Sequence, residues 1–118
     1  MAKSALFVGW GAIVPGREKT ASAVLGEAAG YLQQLQRDGV IDAFDVVLLE
    51  PHGGDLEGFV LVKGDKDSLA KLRGSEDFQK LIVGVQLVHA KVGVVGAYTG
   101  AEMQTVMRLW DEQEDRLL

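Results

Sequence analysis

Apolar and polar positions follow two different periods along this chain, and the order in which the periods alternate predicts its elements. Ser4–Val14 (SALFVGWGAIV) is apolar almost throughout and stops at Pro15-Gly16, the pattern of a strand. From Arg17 to Asp38 the spacing changes. Ala21, Val24, Leu25, Ala28, Leu32 and Leu35 fall at steps of three and four, one apolar stripe of a helix, and Gly39 supplies its stop. Gly26 and Gly30 sit inside that helix, where small residues are expected to let it approach a sheet closely. Ala43–Glu50 and Gly58–Gly64 read as two further strands. The turn chemistry of Pro51-His52-Gly53-Gly54-Asp55 between them makes the pair an antiparallel hairpin. Asp67 is the expected N-cap of a short helix carrying Leu69 and Leu72. Gly74 interrupts it, and Ser75 caps a second segment with Phe78, Leu81, Ile82 and Val85 as its buried stripe. Val88–Tyr98 (VHAKVGVVGAY) reads as the fourth strand. Thr99 and Glu102 have the spacing of a capping box opening a last helix, 100–116, with Met103, Val106, Met107 and Trp110 on one face. The order over residues 4–98 is therefore βαββαβ, read as one domain across 1–118.

Side chains alternate across a strand, so parity sorts each strand into two faces. In the second strand Phe44, Val46 and Leu48 oppose Ala43, Asp45, Val47 and Leu49; in the third, Val60 and Val62 oppose Phe59, Leu61 and Lys63. In the fourth, Val88, Ala90, Val92, Val94 and Gly96 oppose His89, Lys91, Gly93, Val95 and Ala97. Each strand has one wholly apolar face, expected under the helices. Each also has a mixed face of large apolar groups with one or two charges. Two helices shelter one side of a four-stranded sheet, and a bare mixed side would be a larger apolar patch than soluble monomers tolerate. A second copy of the chain, packed sheet to sheet, is the expected cover, giving a two-fold homodimer.

Composition bounds the rest. The 118 residues carry a net charge of −5 with Lys and Arg scattered, which speaks against nucleic-acid and anionic-membrane partners. With no cysteine there are no disulfides, thiolate metal sites or cysteine nucleophiles. The start Met1-Ala2-Lys3-Ser4 leads into a glycine-interrupted run read as strand rather than signal peptide. No apolar stretch approaches the roughly 20 residues of a membrane span. A soluble, cytoplasmic protein is expected.

The βαββαβ order, the first strand passing through Pro15-Gly16 into a long helix, and the Ser75-Glu76-Asp77-Phe78 start of the later helix resemble the dimeric α+β barrel superfamily of ferredoxin-like domains. The resemblance covers nearly the whole chain, with the last helix as an appendage. It implies a four-stranded antiparallel sheet, helices on one face, and two sheets meeting in a barrel at a dimer interface. The superfamily includes cofactor-free monooxygenases, haem-degrading and chlorite-dismutase-like haem proteins, isomerases, amino-acid-sensing regulators and many proteins without a known activity. Fold therefore licenses little about chemistry. The haem-degrading members use an Asn on the first strand with a distant His and Trp. This chain has no Asn at all, which argues against that activity and weakens the monooxygenase reading.

Candidate chemistry is sparse. Gly9-Trp10-Gly11 lacks the third glycine of a dinucleotide fingerprint, since Val14 stands in that place, and no Gly-Lys-Ser/Thr follows. Gly9 and Gly11 share one face, leaving room for close packing or for the floor of a small cavity, while Trp10 points the opposite way. Gly9, Trp10, Gly11 and His89 are the ligand-binding candidates. Glu50, His52 and Asp55 are metal-capable but have no recognised ligand spacing, and a solvated loop accounts for them. No motif demands a metal or a cofactor. His89 and Tyr98 are the catalytic candidates, against hydrogen-bonded and packed roles respectively. The preferred reading is a homodimer without a catalytic signature that binds a small apolar molecule between sheet and helices or in the seam between subunits. One alternative is a cofactor-free monooxygenase or isomerase acting on a hydrophobic substrate. Another is a structural module that docks on another protein through Met103, Met107 and Trp110.

Overall fold

The computed structural model describes residues 3–118; Met1 and Ala2, where the reading of the amino-terminal start begins, lie outside the described residues. The elements in chain order are β1 (Lys3–Trp10), α1 (Glu18–Arg37), β2 (Ala43–Leu48), β3 (Gly58–Asp65), α2 (Lys66–Gly74), α3 (Glu76–Val88), β4 (Gly93–Ala97) and α4 (Gly100–Leu117). The four strands form one antiparallel sheet in the order β2-β3-β1-β4, the ferredoxin-like arrangement, with β1 and β3 central. The register pairs Leu6 with Val62 and Gly96, and Val8 with Val60 and Val94. These apolar residues stack on one face, where they join Leu32 of α1, Leu69 and Leu72 of α2, and Phe78 and Val85 of α3 in a single core. That is the wholly apolar face read from parity, and it lies under the helices as expected. The cover thins at the edge: Leu48, at the end of β2, is 66% exposed.

Helix ends follow local chemistry in part. Ser75 Oγ accepts from the Phe78 amide at 3.3 Å, the expected N-cap. Gly39 takes the left-handed conformation (φ 76°) that ends α1. Two expected caps are absent. α2 begins at Lys66 with Asp65 as N-cap, so Asp67 sits in the first turn rather than before it. Thr99 makes no side-chain capping bond; Glu102 accepts instead from Ser4 Oγ at 3.0 Å, a long-range bond that outcompetes the local box.

Two strand boundaries differ from the expectation by four or five residues, the others by two or fewer. β1 ends at Trp10 rather than Val14, and the fourth strand begins at Gly93 rather than Val88. Val88 completes the stripe of α3 and is 2% exposed, so tertiary burial overrides the β propensity of VHAKV. Gly26 and Gly30 do not bring α1 closer to the sheet. Both are exposed, and a Cβ at either would meet nothing within 4 Å.

Gly26→Ala and Gly30→Ala are therefore each expected to stabilise the protein by about 0.5–1 kcal/mol. Gly58→Ala is expected to destabilise it, because the new Cβ would lie 2.7 Å from the Val47 carbonyl oxygen and 2.8 Å from the Trp10 indole. Urea unfolding of the three variants checks both signs.

Candidate ligand site

The site grows out of a junction beyond the regular sheet. After Trp10 the chain stays extended and pairs with the residues that leave α3. The Gly11 amide donates to the Ala90 carbonyl, the Ala90 amide to the Ala12 carbonyl, and the Val14 amide to the Val88 carbonyl, each at 2.8 Å. Ile13 and His89 face each other as an isolated bridge. Gly11 is required here, since a Cβ would lie 2.8 Å from the Ala90 oxygen. Lys91, at φ 54°, then turns the chain into β4. A guanidinium nitrogen of Arg17, just before α1, donates to the Leu87 carbonyl and ties the start of α1 to the end of α3.

This junction fixes His89. Its Nδ1 lies 2.9 Å from the Gly11 carbonyl oxygen. A carbonyl only accepts, so Nδ1 carries the hydrogen and Nε2 of the neutral ring is left as an acceptor. The Trp10 indole is tilted 42° to the imidazole, with centroids 5.8 Å apart. Trp10 itself is 6% exposed. It lies across Gly58, its cross-strand partner, whose missing side chain makes room for the ring.

Two spaces meet at Trp10, Leu25 and His89, which line both. One is a small, partly open apolar cavity of about 40 Å³ between the sheet and the helices, walled by Val8 and Val60, Ala28 and Leu32, and Phe78 and Val85. The other is an open cleft of about 470 Å³ bordered by Gly11, Ser22, Leu48 and Glu57. The smaller space is far below the roughly 300–1,000 Å³ of ordinary ligand sites, whereas the cleft falls within that range. Of these two spaces, only the cleft has room for a molecule of more than a few heavy atoms.

Of the candidates read from sequence, Trp10, Gly11 and His89 are brought together. Gly9 is not part of either wall; a Cβ there would lie 2.6 Å from the Phe7 ring, so it serves the packing of Phe7 on the other face of the sheet. Tyr98 is 63% exposed just past β4, whose last residue pairs with Ala5, whereas Gly93 at the other end pairs with Gly9. Tyr98 thus stands at the opposite end of the strand from His89, and the two do not form an acid–base pair within one protomer. In the hairpin loop, His52 uses both ring nitrogens locally. Nδ1 accepts from the Gly54 amide at 3.2 Å and Nε2 donates to the Leu56 carbonyl at 2.6 Å. Asp55 pairs with Lys91 at 2.7 Å. Among the described residues no group of three His, Asp or Glu side chains is placed to hold a metal, Glu50, His52 and Asp55 included. Leu25, Ser22, Leu48 and Glu57 escaped the sequence reading. Only the apolar residue left at the exposed end of β2 hinted at a cleft.

No family model matches the chain, and no curated protein matches it in sequence. Solved structures do match in fold. A dimeric ferredoxin-like protein of unknown function from Jannaschia sp. is 13% identical with a TM-score of 0.64, the match covering 83% of this chain and 100% of that one. A DABB-family protein with a ferredoxin-like fold from Mesorhizobium loti is 9% identical with a TM-score of 0.64, covering 85% and 100%. SnoaB, a cofactor-independent oxygenase from Streptomyces nogalater, is 14% identical with a TM-score of 0.53, covering 85% and 98%. The chain thus has a ferredoxin-like α+β fold. The share of it left unmatched is about the size of α4, which has 18 residues.

The Lys91 ammonium holds the Asp55 carboxyl below its ordinary range, first by hydrogen bonding and then by Coulomb attraction. A carboxyl whose pKa is lower folded than unfolded adds stability above the unfolded value and loses it as pH falls through the folded one. Both groups are well exposed, so the contribution is small. Asp55→Asn is expected to lower the urea midpoint slightly at pH 7 and to coincide with the wild type in strong acid. Unfolding curves at the two pH values check this.

Proposed function

We propose that this protein is a homodimer, packed sheet to sheet, that binds a small and largely apolar molecule in the cleft at Trp10, Leu25 and His89. The observation that carries the ligand reading is the meeting of a small apolar cavity with a larger cleft at a single fixed imidazole. Apolar walls supply affinity through removal of the ligand from water, and one hydrogen-bonding ring supplies orientation. The dimer reading is supported by the second face of the sheet. Phe7 and Phe59 stack there with centroids 5.2 Å apart, beside Leu61 and Val95, and none of the four belongs to the helix-covered core. The Jannaschia protein of the same fold is dimeric.

A second reading, a cofactor-free oxygenase or isomerase, is favoured by the tautomer of His89. Nδ1 is committed to Gly11, so Nε2 is the acceptor available to take a proton from a hydroxyl or an activated C–H of a bound apolar substrate. SnoaB, of similar fold, is a cofactor-independent oxygenase. Tyr98 supplies no partner acid in the protomer, so His89 acts as base alone.

Heating with indole, naphthalene or 1-naphthol tests binding. A ligand at a hundred times its Kd adds about 2.7 kcal/mol, a shift of several degrees in Tm for a domain of this size. Ser22→Trp, at an exposed wall of the cleft, is expected to abolish that shift while leaving the unliganded Tm nearly unchanged. Failure of every apolar probe to move the wild type would remove the ligand reading. For the second reading, oxygen uptake or isomerisation of an apolar phenol by the wild type is expected to fall by about a hundredfold or more in His89→Gln, with the binding shift retained.

A further inference from the structure

α4 has no buried residue, yet it is strongly two-sided. Met103, Met107, Trp110 and Leu117 recur along one side and are each half exposed or more, Trp110 at 67%. By helical spacing Arg108, Asp111, Glu112 and Asp115 lie on the other side, where Arg108 and Glu112 pair at 2.7 Å. None of the stripe joins the core of its own protomer. The Glu102–Ser4 bond holds the first turn against β1, and the rest of the helix projects. Its effect on shape is measurable: the radius of gyration is 16.2 Å. A compact chain of this length would have about 13.5 Å.

We propose that α4 is an arm that seats on a second copy of this chain, its stripe extending the interface begun by the open face of the sheet. The inference rests on the sheet-to-sheet reading above. Two arguments select a second copy as the occupant. The first is continuity. α4 starts three residues after Ala97, at the end of the edge strand β4, with its first turn tied to Ser4 on the helix-covered side, so the helix leaves from the sheet edge that borders both faces. The second is area. Four strands about 4.8 Å apart, paired over about six residues of 3.4 Å, offer a footprint of about 400 Å². A stable interface buries about 800 Å² on each partner. A helix of 18 residues is about 27 Å long, and its stripe adds about 270 Å², which closes most of the gap. Under two-fold symmetry each subunit lends one arm and receives one, so no apolar helix face is left in water.

Sedimentation equilibrium of the full chain tests this with three variants. Trp110→Glu and Met107→Glu, whose helicity is checked by circular dichroism, are each expected to weaken the dimer about tenfold or more. Phe59→Lys, on the open sheet face, is expected to do the same. Acrylamide quenching adds a second readout: the emission lost in Trp110→Phe is expected to be shielded at dimer-forming concentration and open on dilution. A dimer that dissociates with Phe59→Lys but is untouched by both α4 variants, with Trp110 freely quenched, overturns the arm and leaves the sheet interface standing. Dissociation by the α4 variants with Phe59→Lys inert overturns the proposal as well, because the stripe would then join copies without the sheet interface it is proposed to extend. A wild type that sediments as a monomer throughout overturns both, and leaves α4 to a different protein.

Discussion

A sheet of four strands with large apolar groups on both faces needs two covers, and α1, α2 and α3 supply one. Leu6, Val8, Val60 and Val62 lie under them in a dry core. Phe7, Phe59, Leu61 and Val95 lie on the other side and belong to no core within the protomer. Much of the rest follows from this asymmetry. The covered face sets where a cavity can form, and the open face leaves large apolar groups that the helices of the protomer do not cover.

On the covered side, the position of the site is decided by how β1 ends. Had β1 continued in regular pairing with a long fourth strand, His89 would be an ordinary strand residue on the open face. Instead α3 keeps its helix through Val88, and the backbone bonds at Gly11, Ala12, Ala90 and Val14 join its exit to the end of β1. His89 is thereby drawn to the mouth of the cavity, with its tautomer set by a carbonyl. Glycine is necessary at two points, Gly11 and Gly58, each because a backbone oxygen passes within 3 Å of where a Cβ would stand.

α4 adds a third element to the balance. One side carries Met103, Met107, Trp110 and Leu117, with Glu114 among them accepting from the Trp110 indole at 3.2 Å, and the first turn is held by one side chain of β1. An exposed stripe of Met, Trp and Leu costs solubility unless it is covered. Its start at the edge strand β4 puts this second uncovered apolar surface next to the sheet edge.

The order of elements, the stripe of α1 and the two faces of the paired strands, though not of the stretch Val88–Val92 read as strand, were legible in the sequence, because side-chain periodicity is a local consequence of backbone geometry. The Ser75 cap and the Gly39 stop were legible for the same reason. The Thr99 box and the Asp67 cap had equally good local patterns and did not form; at Glu102 a serine 98 residues away offered a better partner. The extent of the fourth strand was likewise settled by burial of Val88 in a core built from distant segments. The candidate site was legible only as the separate residues Trp10, Gly11 and His89. Their convergence, and the exclusion of Gly9, Tyr98 and the Glu50–Asp55 loop, depended on contacts between segments nearly 80 residues apart in the chain. Local spacing carries no information about such contacts; only the packed chain does.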